Sequence, residues 1–176
     1  MGQLMNTGDE KWQFCRAYEH ELPSEEDLKS AKAIIFPGSG HAVYNEHKVS
    51  WIPPLKDFIR RVINECPHIR IIGGCFGEQT TAVAMGGKVE KMPYNAERPK
   101  CLGREHIQLT DEFFEQAFVK RYMDKVGLTR ETFPKLILQE SHGDHVSELP
   151  VGATLLGYSE SCNVEIYCIG DRALCF

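Results

Sequence analysis

The chain has 176 residues, of which 42% are hydrophobic and 26% are charged, a composition typical of one globular domain with a sizeable core. Its net charge of −5 argues against nucleic acid or an anionic membrane as a partner, and it contains no apolar run long enough to span a bilayer. Its seven cysteines, an odd number without a Cys-x-x-Cys pair, disfavour a disulfide framework and favour a reducing, cytoplasmic setting.

The first half of the chain alternates predicted helices and strands. A capping-box pattern at residues 24–27 opens a short helix. The apolar run at residues 32–36 predicts a buried strand, which ends in the loop sequence Pro37-Gly38-Ser39-Gly40. Pro53-Pro54 predicts the first turn of a second helix, and residues 55–63 give that helix an apolar face.

A second strand and a third helix follow. Residues 69–72 form the next apolar run, and residues 77–85 have a helical pattern that ends at Gly86-Gly87. Strands and helices alternating in this order predict an α/β fold, with a mostly parallel central sheet and helices on both faces.

The second half is less regular. Residues 91–104 are rich in proline, asparagine and charge and predict a loop, whereas residues 111–126 predict one helix. A short strand at residues 136–138 leads into a loop at residues 141–145. The remaining β-like segments are residues 154–158, 164–169 and 173–176, and a turn at Gly170-Asp171 joins the last two as a C-terminal β-hairpin.

Cys75 is the strongest candidate for a reactive residue. It stands in the run Gly73-Gly74-Cys75-Phe76-Gly77-Glu78-Gln79, between a predicted strand and a predicted helix. A residue on such a turn has a sharply bent backbone that glycine neighbours tolerate. The first amides of the helix and the helix dipole favour the thiolate, which is the reactive form of cysteine. The run therefore predicts a nucleophile, and the alternative is an inert buried cysteine.

Three separated motifs resemble those of the class I glutamine amidotransferases, with the closest likeness to the stand-alone gamma-glutamyl peptidase branch known from plants. The nucleophile motif is the run around Cys75, followed by Gly86-Gly87-Lys88-Val89. Pro37-Gly38-Ser39 is similar to the oxyanion loop of that family. Ser141-His142-Gly143-Asp144-His145-Val146 is similar to its substrate-side loop, and the three motifs occur in the order that the family has.

The resemblance implies a flavodoxin-like domain over residues 1–176 and a hydrolase that cleaves the gamma-glutamyl amide of glutamine or of a gamma-glutamyl peptide. Cys75 would form a thioester with the glutamyl group. The expected partner is this small-molecule substrate, and neither a cofactor nor a metal ion is expected. The other residues implied for the site are Phe76, Gly38 and Ser39 at the oxyanion hole, and Gln79, His142, Gly143 and Asp144 at the glutamyl group.

Two departures from the family pattern bear on activity. Glu78 stands where the family has histidine, and its carboxylate would either oppose ionisation of Cys75 or point outward without effect. The general base of the family is a histidine followed two residues later by glutamate, just after the strand at residues 173–176, and this sequence ends at Phe176. We therefore expect a domain shortened at its C-terminus, and at its N-terminus as well, with an open sheet edge available for self-association.

Several alternatives stay open at this point. His142 or His145 would replace the family's base if either one reached Cys75. The same two histidines would need a third ligand to hold a metal ion, and the spacing offers none. Glu165 is either functional or a solvent-facing residue of a hairpin. The chain is then an enzyme, a non-catalytic homologue that binds a glutamyl ligand or a partner protein, or a redox-sensing cysteine protein.

Overall fold

Five α-helices and nine β-strands form the regular structure of the computed structural model, which describes residues 8, 10–92 and 101–176. Short 3-10 helices cover Ala17–Glu19 and Val43–Asn45. The helices are α1 (Glu25–Ser30), α2 (Ile52–Glu65), α3 (Phe76–Ala84), α4 (Asp111–Glu115) and α5 (Ala117–Val126). The strands are β1 (Ala33–Phe36), β2 (Arg70–Gly73), β3 (Lys88–Lys91), β4 (Cys101–Leu109), β5 (Leu136–His142), β6 (Asp144–Glu148), β7 (Ala153–Tyr158), β8 (Ile166–Ile169) and β9 (Ala173–Cys175).

Seven of the described strands form one sheet in the order β1-β2-β9-β8-β7-β4-β5, and β3 pairs with β6 in a separate antiparallel ribbon. The predicted α/β, flavodoxin-like class is confirmed. Within it, parallel pairing is confined to β1, β2 and β9, and the pairs from β9 across to β5 are antiparallel. The sheet is therefore mixed, and the predicted hairpin accounts for the antiparallel pair of β8 and β9, because strands joined by a tight turn run antiparallel.

The local signals at the first two helices are confirmed. The Ser24 backbone N–H donates to Asp27 Oδ2 at 2.8 Å, and the Asp27 N–H donates to Ser24 Oγ at 3.2 Å, which completes the capping box of α1. Helix α2 has its proline pair in the first turn, where no intrahelical N–H is needed. Its apolar face is buried, and that face comprises Ile52, Leu55, Phe58, Ile59, Val62 and Ile63.

The second half departs from the predicted elements at three places. The single helix predicted over residues 111–126 is two helices, because Gln116 between them has the extended dihedrals φ −63° and ψ 130°. The strand predicted at 136–138 runs on to His142, and the predicted 141–145 loop is instead the tight connection of β5 to β6 at Gly143. The loop predicted at 91–104 overlaps the ends of β3 and β4, while residues 93–100 lie outside the described part of the chain.

The carboxyl ends of the three parallel strands meet at one edge of the sheet. The Gly74 N–H donates to the Phe36 carbonyl at 2.9 Å, and the Cys75 N–H donates to the Phe176 carbonyl at 2.8 Å. Helices α2 and α3 bury their apolar faces in the same core as β2 and β9. Ligands of α/β sheets bind beyond the carboxyl ends of the strands, so this edge is where a site is expected.

Among the described residues, no helix combines the length and the apolar character that crossing a bilayer would need.

Candidate active site

Cys75 occupies the turn between β2 and α3 in a strained backbone conformation. Its dihedrals are φ 50° and ψ −108°, a region that residues with side chains rarely adopt. Such an outlier costs of order 1–3 kcal/mol and persists only where its surroundings enforce it. The predicted sharp bend is therefore present, and Cys75 is exposed at its tip.

Two glycines allow the turn to pack this closely. A Cβ atom added at Gly77 would lie 2.0 Å from the Phe36 carbonyl oxygen, at the end of β1. A Cβ added at Gly73 would lie 2.9 Å from the backbone nitrogen of Glu78. Both contacts are with backbone atoms that have no freedom to move aside, so these positions require glycine.

The surroundings of Cys75 raise the pKa of its thiol. Desolvation in the cavity that it lines is the largest cause, and the charges of Glu78, Glu140 and Asp144 act in the same direction. A hydrogen bond from the Phe76 backbone amide lowers the pKa, but the net shift of the Cys75 pKa is still upward. The predicted effect of the helix amides is thus present at Phe76, but desolvation and the neighbouring carboxyls outweigh it.

Of the residues predicted to supply backbone donors to the oxyanion, Gly38 and Phe76 lie next to Cys75. Gly38 lies against the nucleophile, since a Cβ added there would be 3.5 Å from Cys75 Cβ and 3.8 Å from Cys75 Sγ. Phe76 follows Cys75 as the first residue of α3. The Ser39 side chain is engaged elsewhere, with its Oγ 3.2 Å from His41 Nδ1 and accepting from the His41 N–H at 3.3 Å.

A cavity of 450 Å³ opens beside Cys75. Of the predicted glutamyl-binding residues, Gln79, His142 and Asp144 line it. The Gln79 side-chain amide donates to the Asp144 carbonyl at 3.1 Å, which ties α3 to the start of β6. Gly143 is the bend between β5 and β6, and its carbonyl accepts from the Met92 N–H at 2.9 Å.

Asp144 has a partner that the sequence did not indicate. The Tyr44 hydroxyl donates to Asp144 Oδ1 at 2.7 Å, across 100 positions of the chain. Desolvation, together with this bond and the negative charge of Asp144, raises the pKa of Tyr44 to about 12. Tyr44 therefore remains a neutral donor that holds the Asp144 carboxylate in place.

Glu78 points into the protein, so the outward alternative is wrong. The residue is 7% exposed, and its Oε1 has no hydrogen-bond partner among the described residues. Burial, followed by the charges of Glu165 and Glu140, holds the pKa of Glu78 well above its usual range. The protonated form is thereby favoured, which moderates the effect of Glu78 on Cys75.

Two further acidic residues face the same cavity. Glu165 is 6% exposed, so its interpretation as a solvent-facing residue is wrong, and it accepts from the Ser159 hydroxyl at 2.5 Å. Glu140 lies two positions before His142 in β5, and alternate residues of a strand share a face. Burial raises the pKa of both carboxyls. In the sequence, the Glu-x-His spacing could have indicated that Glu140 and His142 share one face of a strand. It was missed because residues 141–145 were predicted as a loop.

Neither candidate replacement base is bonded to the nucleophile. His142 and His145 both line the cavity, but in the described part of the chain no hydrogen bond joins either ring to Cys75. His142 Nδ1 lies 2.9 Å from the Asp144 carbonyl oxygen, and His142 Nε2 lies 3.4 Å from Glu140 Oε2. Desolvation lowers the pKa of His145. In the β3–β6 ribbon, His145 is the cross-strand partner of Glu90.

Comparison with known proteins relates the chain to one family. The sequence model described as glutamine amidotransferase class-I matches residues 12–175. Gamma-glutamyl peptidase 4 of Arabidopsis thaliana is 32% identical over 172 residues, which span 98% of this chain and 62% of that protein. Gamma-glutamyl peptidase 2 of the same plant is 28% identical over 167 residues, 95% of this chain and 60% of its own length. The chain thus spans less than two thirds of either relative.

A solved structure of a glutamine amidotransferase from Thermotoga maritima has the same fold. It superposes with a TM-score of 0.70 at 20% identity, covering 93% of this chain and 62% of the other.

Proposed function

Because this chain belongs to the class I glutamine amidotransferase family, we propose that it hydrolyses the gamma-glutamyl amide of glutamine or of a gamma-glutamyl peptide through Cys75. The family membership and the gamma-glutamyl peptidase relatives support a hydrolase of this general kind. The observation that carries the assignment to a residue is the strained turn, which displays the Cys75 sulfur at the cavity mouth with Gly38 against it.

The proposed chemistry proceeds in two steps. The Cys75 thiolate attacks the gamma carbonyl carbon, a C–S bond forms, the C–N bond breaks, and the leaving nitrogen takes a proton as ammonia or an amine. Water then attacks the thioester, releasing a gamma-carboxylate and regenerating the thiol. The negative oxygen that forms in each step would be bound by backbone amides of Phe76 and of the Gly38-Ser39 segment. Losing one such donor typically slows an acyl transfer about 100-fold to 1,000-fold.

The glutamyl group would occupy the 450 Å³ cavity. Gln79, His142 and Asp144 line that cavity, and the Gly143 turn sets the position of the last two. Glutamine and gamma-glutamyl peptides share the same acyl half, so one pocket serves both. Proton transfer to the leaving nitrogen is the role that the family pattern gives to a histidine following the last strand.

A second candidate is a non-catalytic homologue that binds a glutamyl ligand or a partner protein. Two observations favour it, namely the raised pKa of Cys75 and the buried carboxyl of Glu78 where the family has histidine. The redox-sensing alternative loses support from the same pKa, because sensor cysteines ionise easily.

One experiment separates these candidates. The protein is incubated with a glutamine analogue that carries a diazo-ketone, the adduct is mapped by mass spectrometry, and hydrolysis of gamma-glutamyl peptides is followed in parallel. The Cys75→Ser variant is the matched control. Labelling of Cys75 with turnover supports the hydrolase, and labelling without turnover supports a non-catalytic homologue that binds a glutamyl ligand. The absence of labelling contradicts the hydrolase and supports a partner-binding or redox role.

A further inference from the structure

Three potential ligand side chains converge in the cavity next to the nucleophile. Glu140 and His142 project from the same face of β5, and Glu165 precedes β8. One ligand atom from each of the three lies within 4.8 Å of the others. Their exposure is low, at 14% for the Glu140 side chain, 12% for the His142 side chain and 6% for Glu165.

The hydrogen bond of His142 directs a lone pair into this cluster. The Asp144 backbone carbonyl can only accept, so the 2.9 Å contact places the proton of a neutral imidazole on Nδ1. In this neutral form Nε2 is unprotonated, and it lies 3.4 Å from Glu140 Oε2. Nε2 is buried without a hydrogen-bond partner among the described residues. A ring whose other nitrogen donates to a backbone carbonyl is the usual state of a histidine that ligates a metal.

A fourth group adds to the cluster. Glu78 lines the same cavity, is 7% exposed, and has a buried Oε1 that no described residue satisfies. Glu140 and Glu165 line this cavity as well. Water could satisfy such atoms as a hydrogen-bond donor, but it could not offset the charge that these carboxyls carry when they are ionised. A cation would coordinate the same atoms and stabilise the ionised carboxylates.

The supporting bonds are also those of a metal site. The Ser159 hydroxyl donates to Glu165 Oε1 at 2.5 Å and so fixes the orientation of that carboxylate. The Asp144 carbonyl does the same for the His142 ring. Two of the three potential ligands, Glu165 and His142, therefore already have a hydrogen-bond partner of the kind that orients ligands for a metal ion.

We propose that Glu140, His142 and Glu165, with Glu78 beside them, bind a divalent metal ion of the Zn²⁺ type. One imidazole nitrogen and several carboxylate oxygens form a ligand set that Zn²⁺ accepts, at distances of about 2.0–2.2 Å. The nitrogen ligand favours Zn²⁺ over Mg²⁺, which prefers oxygen and retains its water. Sequence spacing offered no third ligand beside His142 and His145, and the fold supplies Glu140 and Glu165 instead of His145.

The direct test is a titration of chelator-treated protein with Zn²⁺ by calorimetry and by thermal melting. Glu165→Gln keeps an oxygen that can accept from Ser159 and removes the charge, and Glu140→Gln is a second ligand variant. Glu160→Gln is the matched control, because Glu160 is exposed on the same loop as Ser159. We expect both ligand variants to lose roughly tenfold or more in Zn²⁺ affinity, since even outer partners are worth that much. Glu160→Gln should bind Zn²⁺ as the unaltered chain does, and Mg²⁺ should bind more weakly.

The seven cysteines of the chain make a spectroscopic control necessary. Co²⁺ bound at the proposed site should lack the thiolate-to-metal charge-transfer absorption that cysteine ligands produce. Circular dichroism of the variants shows whether they are folded. The proposal is overturned if Zn²⁺ does not bind, if Glu160→Gln and Glu165→Gln bind it equally, if Mg²⁺ binds as tightly, or if the Co²⁺ spectrum shows thiolate ligation. None of these outcomes depends on whether Cys75 turns over a substrate.

Discussion

Cys75 carries a side chain at dihedral angles that suit glycine. Its φ of 50° and ψ of −108° are enforced by the N–H bonds of Gly74 and Cys75 to the ends of the neighbouring strands. The strain belongs to the folded state and is unrelated to the thiol, so it can be measured without any assay of activity.

We predict that Cys75→Gly is more stable than Cys75→Ala by about 1 kcal/mol. Glycine relieves a strain of order 1–3 kcal/mol, and its greater freedom in the unfolded chain cancels roughly 0.4–1 kcal/mol of that gain. Denaturant unfolding of the two variants gives the difference directly. An alanine variant as stable as the glycine variant would show that the turn is not strained.

Glu78 makes a prediction about pH. Its folded pKa is raised well above the ordinary value of 4.5, so its contribution to stability is fully present below that value and is lost as the pH rises through the folded pKa. The free energy of unfolding of the unaltered chain should therefore fall with rising pH above 4.5 more steeply than that of Glu78→Gln. In Glu78→Gln the free energy of unfolding should still fall somewhat with rising pH, because burial also raises the pKa of Glu140 and Glu165.

This comparison is made by thermal or urea unfolding at several pH values in the presence of a chelator. Glu160→Gln again serves as the exposed control and should keep the slope of the unaltered chain. If the free energy of unfolding changed with pH in the same way in the unaltered chain and in Glu78→Gln, burial would not disfavour the ionised form of Glu78, and the prediction would be wrong.

At the scale of elements, the unit formed by β1, β2 and α3 depends on the close approach of Gly77 to β1. A methyl group at position 77 would lie 2.0 Å from the Phe36 carbonyl oxygen. Gly77→Ala should lower the free energy of unfolding by roughly 3 kcal/mol or more, since neither backbone can yield. Gly40→Ala should change it by less than about 0.5 kcal/mol, because nothing lies within 4 Å of the added methyl. Similar urea midpoints for the two variants would contradict this packing.

The elements that local signals specify were predictable from the sequence. The capping box of α1, the proline start of α2 and the glycine-flanked turn at Cys75 all depend on residues close together in the chain. The extension of β5 to His142 was not predictable in the same way, because its polar residues are in a strand only through pairing with β4. The break at Gln116 likewise has no proline or glycine to announce it.

In the candidate site as well, the residues within sequence motifs were predictable, whereas those brought in by contacts between distant segments were not. Cys75, Gly38, Gln79 and the 142–144 segment were placed together by motif, and the structure brings most of them to one cavity. Tyr44 was missed as a site residue and Glu165 was left undecided, because their contacts join segments far apart in sequence. Tyr44 is 100 positions from Asp144, and Glu165 meets the end of β5 only through the folded sheet.

At the scale of the whole molecule, the sheet has an edge that the described strands leave uncovered. β5 pairs with β4 on one side, and no strand in the described ranges pairs with its other side. Ile137, the second residue of β5, is 46% exposed. An uncovered strand of this kind is a template for pairing with another chain, as β1 at the opposite end of the sheet also is, and the exposed Ile137 leads us to propose that self-association involves β5.

We predict that the chain self-associates with rising concentration and that Ile137→Lys shifts it toward the monomer. A charge on the edge strand opposes pairing with a second copy. Val151→Lys is the matched control, since Val151 is 94% exposed and lies outside every strand. Size exclusion with light scattering measures the effect. A chain that stays monomeric at all concentrations, or an equal response to both substitutions, would contradict the assignment.

The central claim is that Cys75 is presented as a nucleophile at the mouth of a glutamyl-binding cavity. The most direct test is the rate of Cys75 modification by the diazo-ketone glutamine analogue, measured by peptide mass spectrometry with increasing concentrations of a gamma-glutamyl dipeptide. We predict that Cys75 is modified in preference to the other cysteines and that the dipeptide slows its modification in a saturable way. Modification spread over several cysteines, or a Cys75 rate that the dipeptide leaves unchanged, would contradict it.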